Sequence, residues 1–191
     1  MPVTTLDERT ALIVVDLQKG IVALRTAHPT DAVVRHAAVL ARAFRSHGLP
    51  VVLVNVAGGA PGRAEQTISV AEFPSGWTDL VAELEPRADD HIVTKRTWGA
   101  FTNTGLAAHL EKLGVTQVVI AGVATSLGVE STARQAHEHG FNVVLATDAM
   151  TDLSTDAHIN SIARIFPRLG ETGTSREIIA LLDQRSSPRA A

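Results

Sequence analysis

The chain has 191 residues, 17 Lys and Arg against 20 Asp and Glu, a net charge of −3 and a 45% hydrophobic content. That length supports one domain, residues 1–191, with a sizeable core, and the charge balance provides no positive field for a nucleic-acid backbone. There is no cysteine, which excludes disulfides, thiolate metal sites and every cysteine-nucleophile mechanism.

The opening stretch MPVTTLDERTALIVVDLQ sets acidic and basic residues beside a short apolar run, unlike the basic start, apolar middle and small-residue cleavage site of a secretion signal. No apolar run approaches the ~18 residues that span a bilayer. A cytoplasmic soluble protein is expected, with neither a membrane nor nucleic acid as partner.

Residues 11–15 (ALIVV) read as a first strand, short, β-branched and bounded by polar residues, as buried parallel strands are. Residues 31–47 place Val33, Val34, Ala37, Leu40, Ala41 and Phe44 on one helical face and end at Gly48, a good C-terminal stop. A second strand follows at 51–56. Residues 58–77, rich in Gly, Pro, Ser and Ala without a period, are too long for an ordinary connection, so a lid or an oligomer contact is expected there. A weaker strand at 91–94 precedes a helix at 106–113 that stops at Gly114. The central strand at 118–121 leads through a small-residue turn to a helix at 130–139, which stops at Gly140 before a strong strand at 142–147. Helices at 156–166 and 176–182, a short strand at 171–174 and a frayed tail at 183–191 complete the chain. Strand, helix, glycine, strand thus recurs three times. That order predicts an α/β fold, a three-layer α/β/α sandwich on a Rossmann-like, doubly wound and mainly parallel sheet, with its working residues at the carboxyl ends of strands.

Asp16 ends the first strand in VVDLQKG, at the edge where such sheets bind ligands; Asp is equally a turn and cap residue. Lys95 follows the strand at 91–94 in IVTKRTWGAF at the same edge, where a lone lysine is otherwise solvated. A carboxylate, an ammonium and the small-residue turn GVATSLG at one rim favour a site over coincidence.

The sequence resembles the isochorismatase-like hydrolases, which include nicotinamidases, carbamoylsarcosine amidases and isochorismatases. The carriers are ALIVVDLQKG, then VTKRTWGAFTNTGLAAHLEKLGVTQVVIAGVAT, then ESTARQAHEHGFNVVLATDAMTD with the His158 helix. Together they cover most of the chain. The resemblance implies that Asp16 is the catalytic acid/base and Lys95 its cationic partner. It also implies that Gly128 stands where cysteine hydrolases carry their nucleophile, and that a cis peptide joins Val123 to Ala124 and aims amides at a substrate. Dimers or larger homo-oligomers are implied as well.

With Gly128 the acyl-thioester route is closed, and the resemblance narrows to the isochorismatase branch, where a similar glycine leaves room and the aspartate acts alone on a vinyl ether. The chain departs from that branch after its second strand. It has VNVAGGAPGRAEQ there, with Asn55, Arg63 and Gln66 in place of an ordered Gln and Arg, and it has Ala124 where an aromatic residue is expected. Arg63 is read either as a binder of a substrate carboxylate or as a surface arginine. Trp98 and Phe101, just after Lys95, either wall the pocket or pack in the core. Thr125 and Ser126 read as caps, because no histidine is placed by motif to activate them. His137 and His139, two apart, cannot share a helix face, and no DxH spacing follows Asp16, so no metal and no cofactor are expected.

The leading expectation is therefore a cofactor-free hydrolase of a small anionic metabolite. A non-catalytic small-molecule binder or scaffold that kept the pocket competes with it. A nucleotide-binding α/β protein is the third reading, and the first strand is followed by only Gly20 instead of a glycine-rich phosphate loop.

Overall fold

The computed structural model of the chain describes residues 2–65 and 73–186. Six strands form one sheet: β1 (Thr10–Val15), β2 (Val51–Val56), β3 (His91–Lys95), β4 (Gln117–Val123), β5 (Asn142–Thr151) and β6 (Glu171–Gly173), in the order β3-β2-β1-β4-β5-β6. All neighbours run parallel.

β1 is fully buried along its whole length, which explains why ALIVV is continuously apolar instead of alternating. Leu12 and Val14 face one core, with Leu53 and Val119, under α2 (Thr30–Ser46) and α6 (Ser175–Ser186). Ala11, Ile13 and Val15 face the other, with Val54 and Ile120, under α3 (Leu106–Lys112) and α4 (Glu130–Glu138). Apolar residues thus cover both faces of the sheet, and the three-layer α/β/α sandwich is the fold. The chain order reverses between β1 and β4, and a crevice opens at such a switch point beyond the carboxyl ends. Gly122 of β4 pairs with Val15 there at a φ of 122°, and a Cβ at that glycine would overlap the Val15 carbonyl oxygen.

Several elements differ from expectation. A single-turn helix, α1 (Lys19–Val22), follows β1 where none is expected. β5 runs on to Thr151, past an irregularity in its pairing with β4, because the chain resumes pairing at Gly122 with Met150. The helix expected at 156–166 is α5 (Thr155–Asn160) and then a wider π-helical turn, Ser161–Ile165, after which Pro167 imposes a 3-10 turn, Phe166–Arg168. Residues 183–186 of the expected frayed tail are helical instead. Arg185 Nη2 donates to the Glu8 carbonyl at 2.8 Å and His47 Nε2 meets Asp183 Oδ1 at 3.1 Å, which ties this end of α6 to the body. Within the segment 58–77, residues 66–72 lie outside the described residues, Gln66 among them. Its far end folds onto the same chain: the Trp77 indole fills the space that a side chain at Gly20 would need, and it stacks on Phe73 at 4.2 Å. No helix of the described residues is long and apolar enough to cross a membrane.

Candidate active site

Asp16 leaves β1 in the left-handed region, at a φ of 53°, which Asp tolerates better than most residues. Its N–H still donates to the Val54 carbonyl at 2.9 Å, so the residue remains anchored to β2 while its side chain turns toward the edge. Gln18 fixes the exit of the strand. Its Oε1 accepts from the Val56 N–H at 2.7 Å, and its Nε2 donates to the carbonyls of Val56 at 3.1 Å and Trp77 at 3.3 Å.

Lys95 ends β3, two strands away from β1. Its Nζ donates to Asp16 Oδ2 at 2.7 Å and to the Thr97 carbonyl at 3.1 Å, and the two side chains are 2% and 7% exposed. Burial raises the Asp16 carboxyl to about 6 from an ordinary 3.8, outweighing the Lys95 charge and hydrogen bond that pull it down. Asp16 Oδ1 is buried without a hydrogen-bond partner.

The turn after β4 closes the third side. The Val123–Ala124 peptide is cis, and residues Thr125–Val129 form a π-helical turn in which the N–H groups of Leu127 and Val129 both reach the Ala124 carbonyl at 3.1 Å. Gly128 faces the ion pair. A Cβ on it would stand 3.1 Å from Asp16 Oδ2, 3.1 Å from Val15 Cγ1 and 3.3 Å from the Val123 carbonyl oxygen. A side chain at 128 would therefore press on the carboxylate itself. Asp16, Lys95, Gly128, Val123 and Ala124 are brought together at one edge of the sheet.

An isochorismatase domain matches residues 10–177. The chain belongs to the isochorismatase family. The isochorismatase family protein YwoC of Bacillus subtilis is 39% identical over 179 residues, 90% of this chain and 93% of that one. A crystal structure of an isochorismatase family protein from Burkholderia thailandensis superposes with a TM-score of 0.90 at 38% identity, covering 94% of this chain and 98% of that one. Streptothricin hydrolase of Streptomyces noursei is 40% identical over 141 residues, 73% of this chain and 48% of that enzyme.

In this isochorismatase-family hydrolase the remaining sequence candidates part ways. Trp98 lies 62% exposed on the loop after Lys95. Phe101 is buried in the core beneath α3 and α4, its ring 6.0 Å from Phe141 and 5.3 Å from His139, so its surroundings match the core-packing reading. Arg63 is exposed on the loop after β2. Asn55, next to last in β2, is half-buried, with Nδ2 donating to the Thr78 carbonyl at 2.9 Å. Among the described residues no three His, Cys, Asp or Glu side chains are grouped to hold a metal ion.

Three residues without a role in the sequence reading support the turn. Asp152 Oδ2 accepts from the Ser126 N–H at 2.6 Å, and His158 Nδ1 lies 2.8 Å from Thr125 Oγ1. The His28 ring sits 4.7 Å from that of His158. A histidine does stand on Thr125, contrary to expectation, but the hydroxyl is fully buried, facing protein and not the edge. Positions 28, 125, 152 and 158 share no local spacing. The only sequence signal for them is the run TDAMTD and the His158 helix, which carry the resemblance without a stated purpose.

Proposed function

We propose that the chain hydrolyses a small anionic metabolite without a cofactor and without a covalent intermediate, Asp16 carrying the proton and Lys95 holding the negative charge. The observation that supports this most is the asymmetry of the Asp16 carboxyl: Oδ2, on the side that faces Gly128, is taken by Lys95 at 2.7 Å, while Oδ1 is buried and unpaired. A carboxyl raised to about 6 by burial keeps roughly a tenth of its molecules protonated at pH 7, enough to act as an acid near neutrality. When Asp16 takes up a proton, the buried Lys95 ammonium loses its counter-charge. An anionic substrate supplies it, so anion binding and Asp16 protonation reinforce each other.

A vinyl ether of a small carboxylate uses this arrangement fully. Asp16 gives its proton to the terminal vinyl carbon, the carbon bearing the ether oxygen becomes oxocarbenium-like, and water adds there. The adduct then collapses to an alcohol and a methyl ketone, and the proton shed by the water returns to Asp16. Gly128 keeps a side chain off the Asp16 carboxyl, since a Cβ there would already stand 3.1 Å from Oδ2. The likeness to the N-carbamoylsarcosine amidase of Thermoplasma acidophilum, 25% identical with a TM-score of 0.75 over 87% of this chain and 96% of that one, supports a second reading, in which ionised Asp16 acts as a base for direct attack of water on an amide. Homodimers or larger homo-oligomers belong to the proposal; the exposed Leu24, Trp98, Leu153 and Ile159 on segments after β1, β3 and β5 are apolar surface suited to a second copy.

Asp16→Asn tests the proposal. Screening against small vinyl ethers, esters and amides first identifies a substrate. The variant is then expected to lose turnover by at least about a hundredfold while still binding that substrate, since the amide keeps the shape and lacks the proton. Turnover within a few-fold of the parent rejects Asp16 as the acid or base.

A further inference from the structure

We propose that His158 is a positioning residue for this site: its neutral imidazole holds Thr125, and through Thr125 the turn that carries Gly128, in place over Asp16. The inference rests on the reading of that edge as catalytic. Thr125 opens the turn Thr125–Val129 and is completely buried, and His158 reaches it from α5 while itself 8% exposed. The 2.8 Å contact joins Thr125 Oγ1 to His158 Nδ1. A hydroxyl can donate or accept there, and because Thr125 is fully buried its hydrogen is best spent on a protein acceptor. The arrangement that spends the hydrogen has Thr125 donating to an unprotonated Nδ1, with the ring proton on Nε2; this tautomer is assigned from the hydrogen bonding.

The neighbouring ring is held beside it: Thr151 Oγ1 accepts the His28 backbone N–H at 3.1 Å and lies 3.1 Å from His28 Nδ1. Asp152 completes the frame. Its side chain accepts from the Ser126 N–H at 2.6 Å and the Ser154 N–H at 3.1 Å, and its carbonyl accepts from the Ala27 N–H at 2.7 Å. The turn, the end of β5, the start of α5 and the loop before α2 are tied together, and Thr125 and His158 form the contact that can be reversed by a proton. The titratable groups acting on His158 are His28, which opposes its protonation, and Asp152, which favours it; burial is the larger influence and holds it below the ordinary histidine range. A proton on Nδ1 would face the Thr125 oxygen and take from the hydroxyl hydrogen the acceptor it has at 2.8 Å. The hold on the turn is then lost.

The test needs no substrate. In the full-length, 15N-labelled protein, ring spectra of His158 and backbone amide spectra are followed from pH 8 to pH 5. The expected result is an Nε2–H tautomer that titrates below the ordinary 6.5, with the Thr125 and Ser126 amides moving at the midpoint read from the His158 ring. In His158→Asn, whose amide oxygen keeps an acceptor near the Nδ1 position, those amides no longer move. Thr125→Val, a second and nearly isosteric variant, uncouples them from the ring. On a substrate found by screening, His158→Leu is expected to lower kcat about tenfold or more with KM little changed, and His158→Asn to restore it. A ring titrating at 6.5 with its proton on Nδ1, or amides indifferent to its titration, overturns the proposal. Failure of the hydrolytic reading appears separately, as unchanged turnover in Asp16→Asn.

Discussion

Lys95 Nζ and Asp16 Oδ2 lie 2.7 Å apart although their strands do not touch; β2 runs between β3 and β1. The pair therefore bridges across the end of β2, where Gln18 grips both backbone groups of Val56 and seals the gap beneath it. This is a costly arrangement for a protein that needs only stability, since a buried ion pair seldom outperforms apolar packing. It makes chemical sense if the charge of the carboxyl is meant to change.

Gly128→Ala is expected to be the most informative small change. Its methyl group would sit 3.1 Å from both Asp16 Oδ2 and Val15 Cγ1, tighter than ordinary contact, and Val15 is fixed in the central strand. Crowding of this kind costs about 1–3 kcal/mol, seen by urea denaturation, and displacement of the carboxyl lowers turnover by about tenfold or more. Gly128→Cys carries a larger atom into the same space, and it is expected to remain a poor amidase when nicotinamide hydrolysis is measured. Efficient hydrolysis by that variant would mean that the pocket tolerates a nucleophile.

Lys95→Met removes the charge and keeps much of the volume. Burial alone then acts on Asp16, whose carboxyl rises further above about 6. An acid raised in the folded state binds more protons there than in the unfolded chain, so its contribution to stability is lost as pH rises from 3.8 through the raised value. The variant should accordingly be less stable at pH 8 than at pH 5, by roughly 1–3 kcal/mol relative to the parent protein, and turnover should fall at least about a hundredfold. Equal stability offsets at the two pH values would mean that Asp16 is not a buried acid.

Much of this arrangement can be anticipated from the residues. The β-branched runs and the stops at Gly48, Gly114 and Gly140 mark a doubly wound sheet because each glycine adopts positive φ at a helix end, which is a local property. Asp16 and Lys95 are legible for a related reason: a polar residue at the end of a parallel strand or directly after it stands at the carboxyl edge. Their contact is not local, since it depends on which strand lies between them. The π-helical turn at Thr125–Val129 is hidden too, as no short pattern separates it from the first turn of α4. Phe101 and Trp98, three residues apart in one loop, end up in opposite environments, and only packing against Phe141 decides which is buried. His28, Asp152 and His158 come together only in the folded chain, through a ring contact and hydrogen bonds to Thr151, Ser126 and Thr125, so sequence offers no spacing by which to find them.

A structural ion pair elsewhere provides a contrast. Arg45 of α2 holds Asp90 with two hydrogen bonds, at 3.0 and 2.7 Å, and donates twice more to the Leu84 carbonyl, with both side chains at most 4% exposed. It pins the β2 to β3 connection and lies away from the site. Arg45→Met is expected to cost about 3–5 kcal/mol by leaving Asp90 buried and unpaired, as measured by denaturant unfolding, with kcat unchanged in the fraction that remains folded. A large loss of kcat in folded protein would tie that connection to the site.

The central claim is that burial raises the Asp16 carboxyl to about 6, despite Lys95, so that a usable fraction stays protonated near neutrality. Carboxyl 13C titration of the wild-type protein, with Asp16 assigned by its absence in Asp16→Asn, measures this directly. A midpoint near 6, rising when an excess of pyruvate provides a carboxylate for Lys95, is predicted. A midpoint at or below the ordinary 3.8 would show that Lys95 outweighs burial, and would contradict the account.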